Sequence, residues 1–241
     1  MRENLSNINN NFSKKQNVEA LKSLKKRFSK NKISFNLIKN KVVLDVGAGS
    51  GNYTYALSKI GAKIVYSIEE SKTKNNISNK KIKFIKDNLH KLPFNDNTFD
   101  FVFCNGCLSH SKKWKKDILE YKRVLKKNGY IWINVFSYGK HWLHADKVKK
   151  KLKSTNVNNF IQSLLLRNWS PSKIYFLVDL FFTDRVYFTK KILKNYLKKN
   201  KFNKIKFLER GLNHDLNEQI FLDSSLSKIY GEGEIRLICK K

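Results

Sequence analysis

A chain of 241 residues, 41% hydrophobic and 13% aromatic, can bury one sizeable core, which excludes a disordered or low-complexity protein. Two prolines and 10 glycines exclude collagen-like and linker-rich architectures. Of 50 cations against 19 anions, 43 are Lys and 7 Arg, spread throughout, so the net charge of +31 reads first as a solvated surface whose field favours acidic substrates and nonspecific RNA contact.

Residues 1–13 are Asn-rich and polar, and read as a frayed end. Val18, Leu21, Leu24 and Phe28 recur at helical spacing and predict one amphipathic helix over 17–28, with an apolar lead-in from Ile33 to Ile38. Lys41 to Val46 is a short β-branched run, hence a buried strand, and ends at once in Gly47-Ala-Gly-Ser-Gly51. A helix follows from Asn52 to Ile60, stopped by Gly61. Further strands are predicted at 63–68, closed by Glu69-Glu70-Ser71, at 81–86, closed by Asp87, and at 99–104, closed by Asn105-Gly106. A helix over 114–125 stops at Asn128-Gly129, and a fifth strand spans 130–136.

The stretch 137–204 is lysine-rich, aromatic and mostly helical. Ser170-Pro171 opens a helix through Phe182, and Thr189 caps another through Lys199. Two last strands are predicted at 204–208 and 234–239, separated by a long loop, 209–233. The longest apolar run, Ile174 to Phe182, is about half of the ~20 residues a membrane span needs and contains Asp179. No secretory pattern is visible in MRENLSNINNNF, and three Cys supply no disulfide framework, so a cytoplasmic location is expected.

Strands alternating with helices imply a parallel, doubly wound sheet that binds ligands outside the carboxyl ends of its strands. The glycine turn, Glu69-Glu70-Ser71, Asp87 and Asn105-Gly106 all lie at such ends. A Gly-x-Gly-x-Gly turn between strand and helix lets a ligand approach the backbone and meet the helix N-terminus. Dinucleotides, S-adenosylmethionine and phosphates all use that construction. The nicotinamide fingerprint G-x-G-x-x-G fails here, because residue 52 is Asn where the third Gly would fall.

The surrounding motifs narrow the choice. Leu44-Asp-Val-Gly-Ala-Gly-Ser-Gly-Asn-Tyr53 resembles motif I of the class I S-adenosylmethionine-dependent methyltransferases. Ile68-Glu-Glu-Ser71 is similar to their acidic end of strand two. The segment from Asp87 through Leu92-Pro-Phe94 to Phe99-Asp-Phe-Val-Phe103 resembles "D-x-x-x-L-P-F-x-D-x-x-F-D-x-V", and Arg123-Val-Leu-Lys-Lys-Asn-Gly129 resembles "R-V-L-K-P-G-G". The matches run in order from Val42 to Val135. Lys127-Asn128 replaces the Pro-Gly of the last motif, and Glu69 replaces the commoner Asp while keeping two acceptor oxygens.

The resemblance implies an α/β fold: a Rossmann-like, doubly wound seven-stranded sheet, mostly parallel with an antiparallel last strand, and a helical insert after strand five. The chain then divides, within a single domain over 1–241, into an N-terminal lead-in (1–40), a cofactor-binding core (41–136), an insert or acceptor lid (137–203) and the last two strands (204–241). For S-adenosylmethionine, the resemblance implies that Glu69 accepts the ribose hydroxyls and Asp87 the adenine amino group. Asn88 or Leu89 would give a backbone N–H. Gly47 and Cys104, with the Asp45 side chain, would hold the methionyl end, and Gly49 and Gly51 complete the turn.

Methyl transfer from an activated sulfonium is an in-line displacement, so a base is needed only when the acceptor must lose a proton. His110, after strand four, is the first candidate, and His141, after strand five, the second; His144 lies beside it. His214-Asp215 reads as a solvated loop pair or an orienting pair. Cys104-Asn-Gly-Cys107 has redox or metal spacing, but no second pair exists and a strand end with Gly106 accounts for it without chemistry; neither a metal nor a redox role is expected. The Asn/Asp-Pro-Pro-Tyr/Phe element of base amino-methyltransferases is absent after strand four, and no Pro-Cys or Thr-Cys nucleophile of cytosine methylation is present. Aromatics between Phe160 and Phe188 either roof an apolar pocket or form the inner faces of covering helices. The leading expectation is a small-molecule acceptor at O or N, including anionic ones such as nucleotide sugars or phosphorylated metabolites. The alternatives are an RNA or protein methyltransferase using the basic surface, and a non-catalytic cofactor-binding module. The oligomeric state is left open.

Overall fold

The seven strands are β1 (Val42–Val46), β2 (Ile64–Glu69), β3 (Ile82–Lys86), β4 (Phe99–Asn105), β5 (Leu125–Phe136), β6 (Asn203–Phe207) and β7 (Glu234–Lys240). They form one sheet in the order β3-β2-β1-β4-β5-β7-β6. Pairing is parallel from β3 to β5, and β7 runs antiparallel to both β5 and β6. The sheet order reverses direction at β1, between β2 and β4, where such sheets bind ligands. The computed structural model describes residues 13–70, 79–152, 154–169 and 171–241, and gives only the backbone of a few helical residues among them. The expected fraying of the first residues, the Ser71 strand end and the Ser170 cap lie outside the described residues. No helix among the described residues is long and apolar enough to cross a membrane.

Two helices, α1 (Ser13–Lys30) and α2 (Asn52–Ile60), cover one face of the sheet. Leu24 and Phe28 of α1, Ala56 and Leu57 of α2, and Phe101, Phe103 and Trp132 of the sheet form that core. Phe28 stacks on Trp132 at 5.7 Å between ring centroids, and Trp132 on Phe103 at 5.5 Å. The other face carries α3 (Trp114–Val124) and, after the insert, a helix over Lys190–Lys199. Its core joins Ile118, Tyr121, Leu193 and Leu197 to Leu44, Val102, Ile133 and Leu237. Burial on both faces explains why the central strands read as unbroken apolar runs. β3, at the sheet edge, keeps Lys83 and Lys86 exposed, charges that discourage edge-to-edge pairing.

The insert holds α4 (Lys140–Lys151), α5 (Val157–Leu166) and α6 (Pro171–Phe182). Ile161 and Leu164 of α5 pack on Ile174 and Val178 of α6 in a small core of their own. The chain then returns as a strap across the ends of β4 and β5. The Val186 N–H donates to the Ser109 carbonyl (2.7 Å) and the Phe188 N–H to the Phe136 carbonyl (3.0 Å). Thr189 caps the next helix, α7 (Lys190–Lys199), by accepting from the Ile192 N–H at 3.1 Å.

Two expectations are corrected. The fifth strand begins at Leu125, not Tyr130: Leu125 pairs with Phe99, and Asn128, with φ +68°, carries the kink read as a turn. The 209–233 stretch is not one loop. It contains α8 (Leu216–Leu222) and the short α9 (Ser227–Tyr230).

The start of α8 also corrects the solvated reading of His214-Asp215 for Asp215, while His214 is exposed. Asp215 is buried between two guanidinium groups: Arg27 Nη2 of α1 at 2.8 Å and Arg236 Nη1 of β7 at 3.2 Å. These partners hold its carboxyl below the usual range against the opposing effect of burial. Burial with neighbouring Arg27 pushes Arg236 down to about 9. Arg27 also donates to Tyr53 Oη at 2.8 Å, tying α1 to the first turn of α2. Glu218, held by Arg210, Lys30 and the Gly211 N–H, is pulled down to about 2.

Candidate active site

The carboxyl end of β1 turns through Gly47, Gly49 and Gly51, all at positive φ (+68°, +55° and +80°). At Gly47 the need for glycine is twofold: the left-handed backbone, and the space, since a Cβ there would overlap that of Cys107. The Gly47 N–H donates to the Ile68 carbonyl at 2.9 Å, which fixes the turn against the end of β2. Gly51 opens α2 with no side-chain cap.

Glu69 closes the other side of this turn. Its buried carboxylate accepts from the Gly49 N–H through Oε2 and from the Glu70 N–H through Oε1, both at 2.9 Å. One carboxylate therefore shapes the glycine turn and ties it to the end of β2. Asp45 lies beneath. Thr54 donates to its Oδ2 at 2.6 Å and is itself 3.0 Å from Ser67 Oγ. Burial pushes the Asp45 carboxyl up to about 7; the Thr54 hydrogen bond opposes this and the Glu69 charge adds to it. Thr54 and Ser67 were not singled out from the sequence. A hydroxyl in the first turn of the helix after the glycines was the available signal for Thr54.

Asp87 stands at the end of β3, exposed, its N–H on the Glu69 carbonyl at 3.2 Å. Its Oδ1 accepts from the Asn88 N–H at 2.6 Å, and Asn88 Oδ1 accepts from the His90 N–H at 2.7 Å. The Asn88 N–H is thus occupied, which makes Leu89, buried beside it, the better backbone donor of the two. The Leu-Pro-Phe segment that follows is pinned by Arg123, which donates to the Leu92 carbonyl (3.1 Å), the Phe94 carbonyl (2.8 Å) and Glu120. Two segments quoted for the resemblance are thereby parts of one contact.

Cys104 pairs in register with Val46, so its backbone flanks the glycine turn from the β4 side. Asp45, Gly47, Gly49, Gly51, Glu69, Asp87, Asn88, Leu89 and Cys104 therefore share the carboxyl edge of β3-β2-β1-β4.

The candidate bases lie elsewhere. His110 ends the 3-10 turn after β4 and sits under the insert strap. Its Nδ1 is 3.2 Å from the Asp184 carbonyl and its Nε2 3.5 Å from Asp179 Oδ1. Both ring nitrogens face acceptors, so a neutral ring can donate to only one. Asp179 also takes Arg185 at 2.6 Å, and the Arg185 guanidinium lies over Trp142 (4.7 Å) and Phe136 (5.1 Å). Asp179 and Arg185 carried no sequence signal, being 69 and 75 residues from His110. His141 and His144 lie in α4, and their side chains are outside the described ones. A cavity of about 320 Å³, lined by Lys112, Asp146, Lys149, Leu180, Thr183, Asp184, Arg185 and Tyr187, opens between α4 and the strap. It contains none of the residues expected to hold a cofactor.

Residues 44–133 match the family described as a methyltransferase domain. A tRNA U34 carboxymethyltransferase of Ruthia magnifica is 31% identical over 149 residues, 55% of this chain and 44% of the relative. A demethylmenaquinone methyltransferase of Bacillus licheniformis is 31% identical over 135 residues, 52% of this chain and 57% of the relative. The chain thus spans about half the length of the curated relatives it matches. Among solved structures, a chain from the complex of the Haloferax volcanii Trm112 methyltransferase activator with a methyltransferase has TM-score 0.64 at 12% identity, over 100% of this chain and 98% of that one. Burkholderia thailandensis 1,6-didemethyltoxoflavin-N1-methyltransferase, bound to its substrate and S-adenosylhomocysteine, has TM-score 0.53 at 16% identity, over 86% and 73%. The chain therefore carries a methyltransferase domain over residues 44–133 and has the fold of the class I S-adenosylmethionine-dependent methyltransferases, with a left-handed glycine turn held by a carboxylate at the carboxyl edge of its sheet.

Proposed function

We propose that this chain transfers a methyl group from S-adenosylmethionine to the oxygen or nitrogen of a small-molecule acceptor, by in-line displacement. The observation that carries the small-molecule reading is the strap. By bonding to Ser109 and Phe136 it roofs the ends of β4 and β5, on the same sheet edge as the residues expected to hold the cofactor, which restricts access to the reacting centre. The chain's net charge of +31 favours an anionic acceptor such as a phosphorylated metabolite or nucleotide sugar.

When bound, the cofactor supplies a methyl group already activated on a sulfonium. The chain's residues bind, orient and exclude water. Glu69 would accept from the ribose hydroxyls while holding the Gly49 N–H. Asp87 would accept from the adenine amino group beside the Leu89 N–H. The Gly47 and Cys104 backbones and the Asp45 carboxylate would hold the methionyl end. An acceptor that must lose a proton would give it to His110 or His141; His110 can take one only when its Asp179 or Asp184 contact opens.

A second reading, methylation of RNA, rests on one observation. Residues 112–116 and 190–201 contain ten Lys and no Asp or Glu. The two segments adjoin, with Tyr196 Oη donating to the Lys115 carbonyl at 2.7 Å. Incubating the protein, labelled S-adenosylmethionine and a cell extract, then fractionating by size, separates the readings. Low-mass label supports the small-molecule acceptor; label that stays with RNA overturns it.

A further inference from the structure

The two-residue gap in Cys104-Asn-Gly-Cys107 is closed by the fold. Gly106, with φ +99°, reverses the chain at the end of β4, and its N–H is held by the Asn134 carbonyl at 3.0 Å. The reversal lays Cys107 back over Cys104, and their sulfurs stand 2.6 Å apart as free thiols. Cys104 is buried and Cys107 partly exposed. Burial pushes the Cys104 thiol up, which keeps it protonated and leaves Cys107 as the sulfur that meets an oxidant first. Tyr121 Oη, 3.8 Å from Cys107 Sγ, is its further polar neighbour.

The pair also touches the cofactor cradle from two sides. Cys104 is the register partner of Val46, the residue before Gly47. The Cys107 Cβ fills the space that glycine leaves at Gly47. A change in the position of Cys107 is therefore a change in the wall of the turn.

We propose that Cys104 and Cys107 form a reversible disulfide that senses peroxide and weakens cofactor binding by displacing Cys107 against the Gly47 turn. The Cys107 thiolate attacks one peroxide oxygen and the O–O bond breaks, leaving a sulfenic acid; the released hydroxide takes up the Cys107 proton as water. The Cys104 thiol then attacks the sulfenic sulfur. The S–S bond forms, the S–O bond breaks, and the departing oxygen leaves as a second water with the Cys104 proton. Two thiols are oxidised and one peroxide is reduced to two waters. A dithiol reductant reverses the change by exchange.

The proposal rests on the cofactor assignment, and one experiment separates the two. The purified full chain, reduced or treated with hydrogen peroxide, is titrated with S-adenosylhomocysteine by calorimetry. In parallel, the tryptic fragment between Lys91 and Lys112, which holds both cysteines and not Cys239, is weighed. We expect that fragment to lose two hydrogens on oxidation and regain them with dithiothreitol, and the Kd to rise and recover about tenfold in step. Cys107→Ser, compared with itself before and after peroxide, should show no change in affinity, and Cys107→Ala repeats this should the serine fold poorly. No disulfide, or a disulfide with unchanged Kd, overturns the proposal while leaving the cradle intact. Failure of the reduced protein to bind at all overturns the cofactor assignment instead.

Discussion

The two halves of the sheet's carboxyl edge are built by opposite means. Over β1 and β2 the site is backbone, with three glycines at positive φ, two N–H groups on Glu69 and two on the Ile68 carbonyl. Over β4 and β5 it is side chain on side chain: His110, Asp179 and Arg185, with Arg185 laid on Trp142 and Phe136. A backbone cradle is specified by short-range sequence and suits a ligand that does not change. A wall of side chains brought together from distant positions can be replaced piece by piece, which suits acceptor specificity.

The comparison breaks if the cradle tolerates what the geometry forbids. Gly47→Ala adds a Cβ against Cys107 at a left-handed φ, and S-adenosylhomocysteine binding is expected to fall about a hundredfold or more in calorimetry, from overlap added to a ~1–2 kcal/mol backbone cost. Glu69→Ala and Asp87→Ala should likewise lose the cofactor, and wild-type affinity in both would remove the pocket assignment. Behind the cradle, Asp215→Ala leaves Arg27 and Arg236 buried without their shared carboxylate. Urea unfolding should report a loss of about 3–5 kcal/mol.

On the acceptor side, His110→Gln sharpens the contrast. If His110 removes a proton, kcat falls by roughly 10²-fold while cofactor Kd stays at its wild-type value. Equal loss in both would make the ring a fastening of the insert. A smaller effect belongs to Asp45, whose raised pKa has a defined sign. The unfolded chain gives up this proton near 3.8 and the folded chain near 7, so the stability linked to its protonation is complete below about pH 4 and lost as pH climbs to 7. A cationic methionyl end prefers the ionised form, so cofactor affinity should rise by up to about tenfold per pH unit below 7 and level above it. Asp45→Asn should flatten that profile. The smallest effect is expected from Lys191→Glu with Lys194→Glu on α7: small-molecule turnover changes by less than about twofold, while retention on heparin falls.

The same division decides what the sequence revealed. Strand ends, the glycine turn and Glu69 were legible because each is local: an apolar run, a backbone requirement, a polar residue at the first exposed position. The Thr189 cap was legible for the same reason. The α8 helix was missed although Asp215-Leu-Asn-Glu218 has the spacing of a capping box. The structure gives Asp215 no capping bond to α8 and spends both acids on Arg27, Arg236, Arg210 and Lys30. Such partners lie up to 188 residues away, where no window of sequence reasoning reaches. The His110–Asp179 contact was hidden likewise, since α3, β5 and the first two helices of the insert lie between its halves.

The bond between Arg27 and Asp215 has a consequence for how the molecule is made. A ribosome releases α1 early, and 188 residues must follow before the carboxylate that neutralises Arg27 exists. Until then α1 has a cation that resists burial and a sheet still lacking β7, the strand that sits between β5 and β6. Docking of α1 over the glycine-turn helix is therefore a late event in synthesis. Nascent chains halted before Asp215 should leave Tyr53 and Phe28 open to chaperones, and chains halted after Arg236 should not.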